Sequence, residues 1–147
     1  MRSSARAAAS DASNGADDDS FSIQAQRIGA DGTPLGDQFE VNPYTTGLQF
    51  LPTVSSSAAG DFVVVWESEG SSGTDLDRHS IQAQRFSAAG VRLGSQFQVN
   101  TYTSGDQLRP GVCSDSGGGF VVVWTSYGSS GSDDDLTSIQ ARRFDAS

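Results

Sequence analysis

The chain has 147 residues, of which 35% are hydrophobic and 18% charged, a mix suited to one folded domain. Fifteen Asp and three Glu face nine Arg and no Lys, so the formal net charge is −9; such a surface repels phosphate backbones and anionic headgroups, and neither nucleic acid nor membrane insertion is expected. Cys113 is the only cysteine, which leaves no intrachain disulfide, and no apolar run approaches the ~20 residues of a membrane span.

Residues 1–8 read as an N-terminal tail. They lack the apolar centre of a secretory signal, so no export signal is expected within this sequence. From residue 9 the chain repeats. Ser22-Ile-Gln-Ala-Gln-Arg27 returns at Ser80–Arg85 and again, with one change, at Ser138–Arg143. Phe62-Val-Val-Val-Trp66 returns at Phe120–Trp124, so both motifs keep a spacing of 58 residues. Residues 9–66 laid on 67–124 without a gap agree at 32 of 58 positions, and residues 125–147 begin a third copy. All three copies are expected to belong to one structural domain.

Each repeat reads as four short strands separated by turn residues. In Ser80–Phe86, Ile81 and Ala83 fall on one face and Gln82 and Gln84 on the other. Gln96–Val99 alternates polar and apolar, and Gln107–Val112 is weaker, its Pro110 suiting an edge strand. Phe120–Trp124 is apolar on both faces, so other sheets must cover both sides of it. No stretch has a helical period. With Gln-Leu-Arg-Pro named A, Phe-Val-Val-Val-Trp B, Ile-Gln-Ala-Gln C and Gln-Phe-Gln-Val D, the chain reads C-D-A-B-C-D-A-B-C. The predicted class is all-β, in tandem four-stranded antiparallel repeats resembling the blades of a β-propeller. The alternative is a single nine-stranded β-sandwich. A propeller needs about four to eight blades, so closure calls for a homo-oligomer, a dimer or trimer, or for a longer polypeptide.

The pattern Gly-x-Phe-Val-Val-Val-Trp-x-Ser, an Asp/Gly/Ser loop, Ile-Gln-Ala-Gln-Arg-Phe and Gln-Phe-x-Val-Asn-x-Tyr-Thr resembles tandem repeats of very large bacterial surface and secreted proteins. The resemblance spans about residues 9–145. It implies a repetitive, propeller-like extracellular or cell-surface architecture with a structural or adhesive role, and it supplies no catalytic residues.

The loop between strands B and C carries Gly-x-Asp-x-Asp in all three copies: Asp17 and Asp19, Asp75 and Asp77, Asp133 and Asp135. Carboxylates two residues apart on a turn can converge on a hard cation, and Ca2+ is the expected ion. Asp11 and Glu69 would add ligands, whereas Tyr127 holds that place in the third copy. The competing reading is a set of solvated acidic turns. Trp66 and Trp124, with Asn42, Asn100, Tyr44 and Tyr102, are candidates for stacking and polar contact with a carbohydrate; the competing reading packs the indoles between sheets. Gln24, Gln82 and Gln140 with Arg27, Arg85 and Arg143 form the polar side of a strand, the arginines within reach of the loop aspartates. Cys113, whose counterpart is Ser55, is expected to be a small buried residue.

Enzyme motifs are absent. His79 is the lone histidine, with Phe21 and Thr137 at the equivalent positions, and no nucleophile elbow, phosphate loop or zinc spacing occurs. Paired aspartates for glycoside hydrolysis stay open, though none stands out as a raised-pKa acid. The sequence alone therefore predicts a non-enzymatic repeat module, with a lectin-like carbohydrate-binding module as the alternative.

Overall fold

A computed structural model describes residues 4–10, 21–133 and 135–146. Among them the chain is all-β, without a helix, in three antiparallel sheets. The first sheet holds β1 (Ser4–Ser10), β2 (Ser22–Ile28) and β3 (Phe39–Glu40). The second holds β4 (Gln49–Ser56), β5 (Phe62–Glu69), β6 (His79–Phe86) and β7 (Arg92–Gln98), paired in that order. The third holds β8 (Gln107–Ser114), β9 (Phe120–Tyr127) and β10 (Thr137–Phe144), again neighbour to neighbour. The second sheet is thus the expected A-B-C-D blade. Division into three sheets sets aside the single nine-stranded sandwich.

One expected element is corrected. Residues 4–8 are not a tail but part of β1, which occupies the B place of the first sheet. Its register, Ser4↔Ile28 through Ser10↔Ser22, is that of Phe62↔Phe86 through Ser68↔Ser80 moved by 58 residues. Ser-Ala-Arg-Ala-Ala-Ala-Ser lacks the bulky apolar residues that mark β5 and β9, so it gives no strand signal.

Strands β4 and β8 lie at sheet edges, where proline is tolerated. Each carries a bulge, between Phe50 and Thr53 or between Leu108 and Gly111. Within the bulges Leu51 and Arg109 adopt left-handed φ values of 49° and 54°. Two equivalent non-glycine residues share this rare conformation, so it belongs to the repeat's design.

The sheets stack through one junction used twice. Ile23, Ala25 and Val41 of the first sheet pack on Phe62, Val64 and Trp66 of the second. Ile81, Ala83 and Val99, joined by Val63 and Val65, pack in the same way on Phe120, Val122 and Trp124 of the third. Phenylalanines close one end of each junction. Phe62 stacks on Phe86 at 5.0 Å with Phe39 at 5.4 Å, and Phe120 stacks on Phe144 at 4.8 Å with Phe97 at 5.4 Å. Buried side chains of this size contribute roughly 1.5–3 kcal/mol each.

Each buried indole needs a hydrogen-bond acceptor, and the A strand supplies it. Trp66 Nε1 donates to Gln49 Oε1 and Trp124 Nε1 to Gln107 Oε1, both at 2.9 Å. Both glutamines are fully buried, and their amide nitrogens donate onward to the carbonyls of Thr46 and Ser104 in the D–A turns. Replacing Gln49 or Gln107 by Leu should cost about 1–3 kcal/mol by stranding an indole N–H. In urea unfolding, Trp66→Phe added to Gln49→Leu should cost less than the sum of the two single substitutions. Additive losses would show that the bond contributes nothing.

Candidate functional site

The B–C loop of the second sheet is held from within. Gln98 Oε1 accepts from the amides of Thr74 and Asp75, at 2.8 and 2.9 Å, and from Ser71 Oγ at 2.8 Å. Gln82 Nε2 donates to Ser71 Oγ and Ser80 Oγ, while its Oε1 accepts from Ser72 and Gln96. The repeated glutamine is therefore a buried organiser of this loop, not merely the polar side of a strand. Gln140 binds Ser129 and Ser138 in the third copy in the same manner.

This network also accounts for the acidic residues. Asp75 is buried; its Oδ2 accepts from Asn100 Nδ2 and its Oδ1 from the Asp77 amide at 3.3 Å. Burial pushes its carboxyl above the usual aspartate value, against the pull of those two hydrogen bonds. Asp77 points away to the next turn, where its Oδ2 accepts from the Gly105 amide at 2.9 Å. The two carboxylates thus serve different backbone segments. Asp133 and Asp135 are exposed, the third sheet having among the described residues no D strand with an asparagine like Asn100. Asp17, Asp19 and the neighbouring Asp11 lie outside the described residues. Among the described residues no three His, Cys, Asp or Glu side chains are grouped to hold a metal ion.

The carbohydrate candidates are likewise engaged. Trp66 is fully buried and Trp124 nearly so, so neither offers a ring face to a sugar and both pack between sheets. Asn42 and Asn100 are buried; their Oδ1 atoms accept from the Ile23 and Ile81 amides at 2.7 and 2.9 Å. Their Nδ2 groups donate to the carbonyls of Tyr44 and Tyr102. The Tyr44 hydroxyl lies over Gly70, 2.9 Å from where a Cβ would stand, and Tyr102 lies still closer over Gly128. Both glycines have left-handed φ, 77° and 85°, so two constraints exclude a side chain there. Arg27 donates to the carbonyls of Ala88 and Leu35, Arg85 sits over the Phe120 ring at 5.9 Å, and Arg143 pairs with Asp145 at 3.4 Å. Cys113 is exposed, a correction explained by its place: Ser55, its counterpart, faces the third sheet and accepts from the Ser114 amide, whereas nothing described covers Cys113.

The site that motif reading missed lies at the junction of the second and third sheets, where the repeat breaks. Glu67 on β5 is 1% exposed, and its carboxyl accepts from the Arg109 amide at the β8 bulge while Oε2 has no hydrogen-bond partner. Burial raises its pKa above the usual 4.5, against the Arg109 hydrogen bond and the charges of His79 and Arg109; Asp106 adds to the rise. Nearby, His79 Nδ1 lies 2.8 Å from Asp106 Oδ1, and Arg78 donates to Asp106 Oδ2 at 3.3 Å. Burial opposes ionisation of Asp106, but the bonds and charges of His79 and Arg78 outweigh it and hold its pKa below 3.8. The Phe50 ring meets His79 edge-on at 5.5 Å. At the equivalent positions Glu67 becomes Thr125, Arg78 becomes Leu136, His79 becomes Thr137, Asp106 becomes Leu48 and Arg109 becomes Leu51. The available signal was this coincidence of departures from the repeat.

No protein-family model matches the chain, and no curated protein matches it. Among solved structures the chain is similar to an endo-arabinase from Bacteroides thetaiotaomicron, at 16% sequence identity and a TM-score of 0.50. The match covers 86% of this chain and 47% of the arabinase, so the chain spans about half the length of that structure. At this identity the likeness is one of fold. It nevertheless corrects the expectation of a non-enzymatic module, because this arrangement of sheets is one that an enzyme uses.

Glu67 should make stability fall as pH rises. The folded state holds its proton more tightly than the unfolded chain, so stability is lost between the ordinary pKa of 4.5 and the raised folded value. Glu67→Gln should therefore raise the unfolding free energy at pH 7–8 by about 1 kcal/mol, seen as a higher thermal midpoint, and change it little below pH 4.5. An equal effect at both ends of the pH range would contradict the buried-acid assignment.

Proposed function

We propose that the chain is a carbohydrate-directed unit of a propeller-type domain, with its saccharide contacts beside the Arg78–His79–Asp106 cluster. The observation that carries this reading is the concentration of chemistry at one junction: five positions that are Leu or Thr in a sister copy are here charged or titratable. Leu51, Pro52, Thr53, Arg109 and Pro110 line a groove of about 380 Å3 along the two A strands. It combines apolar surface for sugar C–H faces with the donors and acceptors that hydroxyls require. The fold shared with an endo-arabinase supports a saccharide as the ligand class.

Glycoside cleavage is the second reading, favoured by the opposed protonation of two carboxyls. Glu67 retains its proton to higher pH and Asp106 loses its own earlier, the division of roles that an acid and a carboxylate need.

Titration calorimetry with arabinose-containing oligosaccharides, alongside an assay for new reducing ends, tests both readings. Binding is expected, and Asp106→Asn should weaken it by about tenfold or more through loss of a charge-assisted bond. Reducing ends abolished by Glu67→Gln would support cleavage. Absence of binding across pentose and hexose oligosaccharides would sink the proposal.

A further inference from the structure

Strand β5 is buried on both faces, whereas β9, with the same Phe-Val-Val-Val-Trp sequence, is buried on one only. Val121 and Val123 are 40% and 43% exposed and Ile139 is 74% exposed, although their counterparts Val63, Val65 and Ile81 are almost wholly buried. Register places these residues together, with Val123 opposite Ala141 and Ile139 opposite Thr125, just as Val65 is opposite Ala83 and Ile81 opposite Glu67. Cys113, opposite Val121, belongs to the same uncovered face. The second sheet uses this face to receive Phe120, Val122 and Trp124. Arg143 stands where Arg85 reaches over Phe120, and it is mostly exposed.

The face differs from its covered counterpart in charge. Thr125, Leu136 and Thr137 replace Glu67, Arg78 and His79, which at the covered junction meet the Arg109 amide and Asp106. A blade bearing Asp106 and Arg109 would find no charged partner here. A blade bearing Leu48 and Leu51 would need none.

We propose that the outer face of the third sheet is a docking surface for a further blade of the β4–β5 kind, presenting Phe-x-Val-x-Trp on its B strand and leucine at the places of Asp106 and Arg109. The interface continues the existing series: Val121, Val123, Ile139 and Ala141 receive the incoming Phe, Val and Trp, and Arg143 covers the incoming Phe ring. Leu136 and Thr125 then lie against the leucines of the arriving A strand, so no charge is buried unpaired.

The test extends the whole chain after Asp145, which preserves the 58-residue spacing, with a copy of residues 30–87 or, for comparison, of residues 88–145. Amide exchange in β9 and β10 should slow about tenfold or more with the 30–87 extension, and Val123→Asp should abolish that protection. The 88–145 extension, carrying Asp106 and Arg109, should protect less. Equal protection by both extensions, or none from the 30–87 extension, would overturn the proposal. So would a stable dimer of the unextended chain that Val123→Asp disperses, since the occupant would then be a second copy.

Discussion

Everything in this structure depends on five consecutive apolar residues, Phe62–Trp66, placed in an extended strand. Alternation sends Phe62, Val64 and Trp66 to one side and Val63 and Val65 to the other, so the sheet has two apolar faces. Such a sheet buries all of its apolar surface only between two others, as the second sheet does. The first sheet covers one face with Ile23, Ala25 and Val41, the third covers the other with Phe120, Val122 and Trp124, and close approach then creates the other requirements. An indole that is fully buried must have an acceptor, and Gln49 or Gln107 provides it. A tyrosine laid on the neighbouring turn leaves no room for a side chain, and Gly70 or Gly128 meets that limit.

Polar groups complete the junction instead of opposing it. Asn100 ties the Ile81 amide, Asp75 and the Tyr102 carbonyl together, while Gln98 and Gln82 order the intervening loop. A satisfied network of this kind favours a single register, because a slip would strand several buried donors at once. In the second copy the loop aspartates are therefore internal acceptors, Asp75 for Asn100 and Asp77 for the next turn.

Repetition hides function in a chain of this kind. Trp66, Asn100 and Tyr44 recur between copies, were conspicuous in the sequence and proved to be engaged with the fold. Glu67, Arg78, His79, Asp106 and Arg109 depart from their counterparts, and they meet across one sheet junction although they come from three separate stretches of chain. His79 had counted against enzymatic chemistry because its counterparts, Phe21 and Thr137, lack an imidazole. A site used once in a repeating scaffold has that property by nature. The fold held in common with an endo-arabinase is one that an enzyme uses.

The sequence by itself determined the period, the all-β class and the four-stranded order, because strand alternation and turn residues are local and were written more than once. It also predicted cover on both sides of Phe120–Trp124, yet among the described residues β9 is covered on one face only, and it is β5, with the same five residues, that lies between two sheets. It could not mark β1, whose alanines and serines gain strand character only by pairing with β2. It could not distinguish an aspartate held by Asn100 from one free to take a cation, nor a tryptophan packed on Ile23 and Ala25 from one facing a sugar. Only the tertiary structure decided these, because burial and hydrogen-bond partners belong to pairs of residues far apart in sequence. For the same reason it alone revealed Glu67 beside Arg109 and Asp106, and Val121, Val123 and Ile139 without a covering sheet.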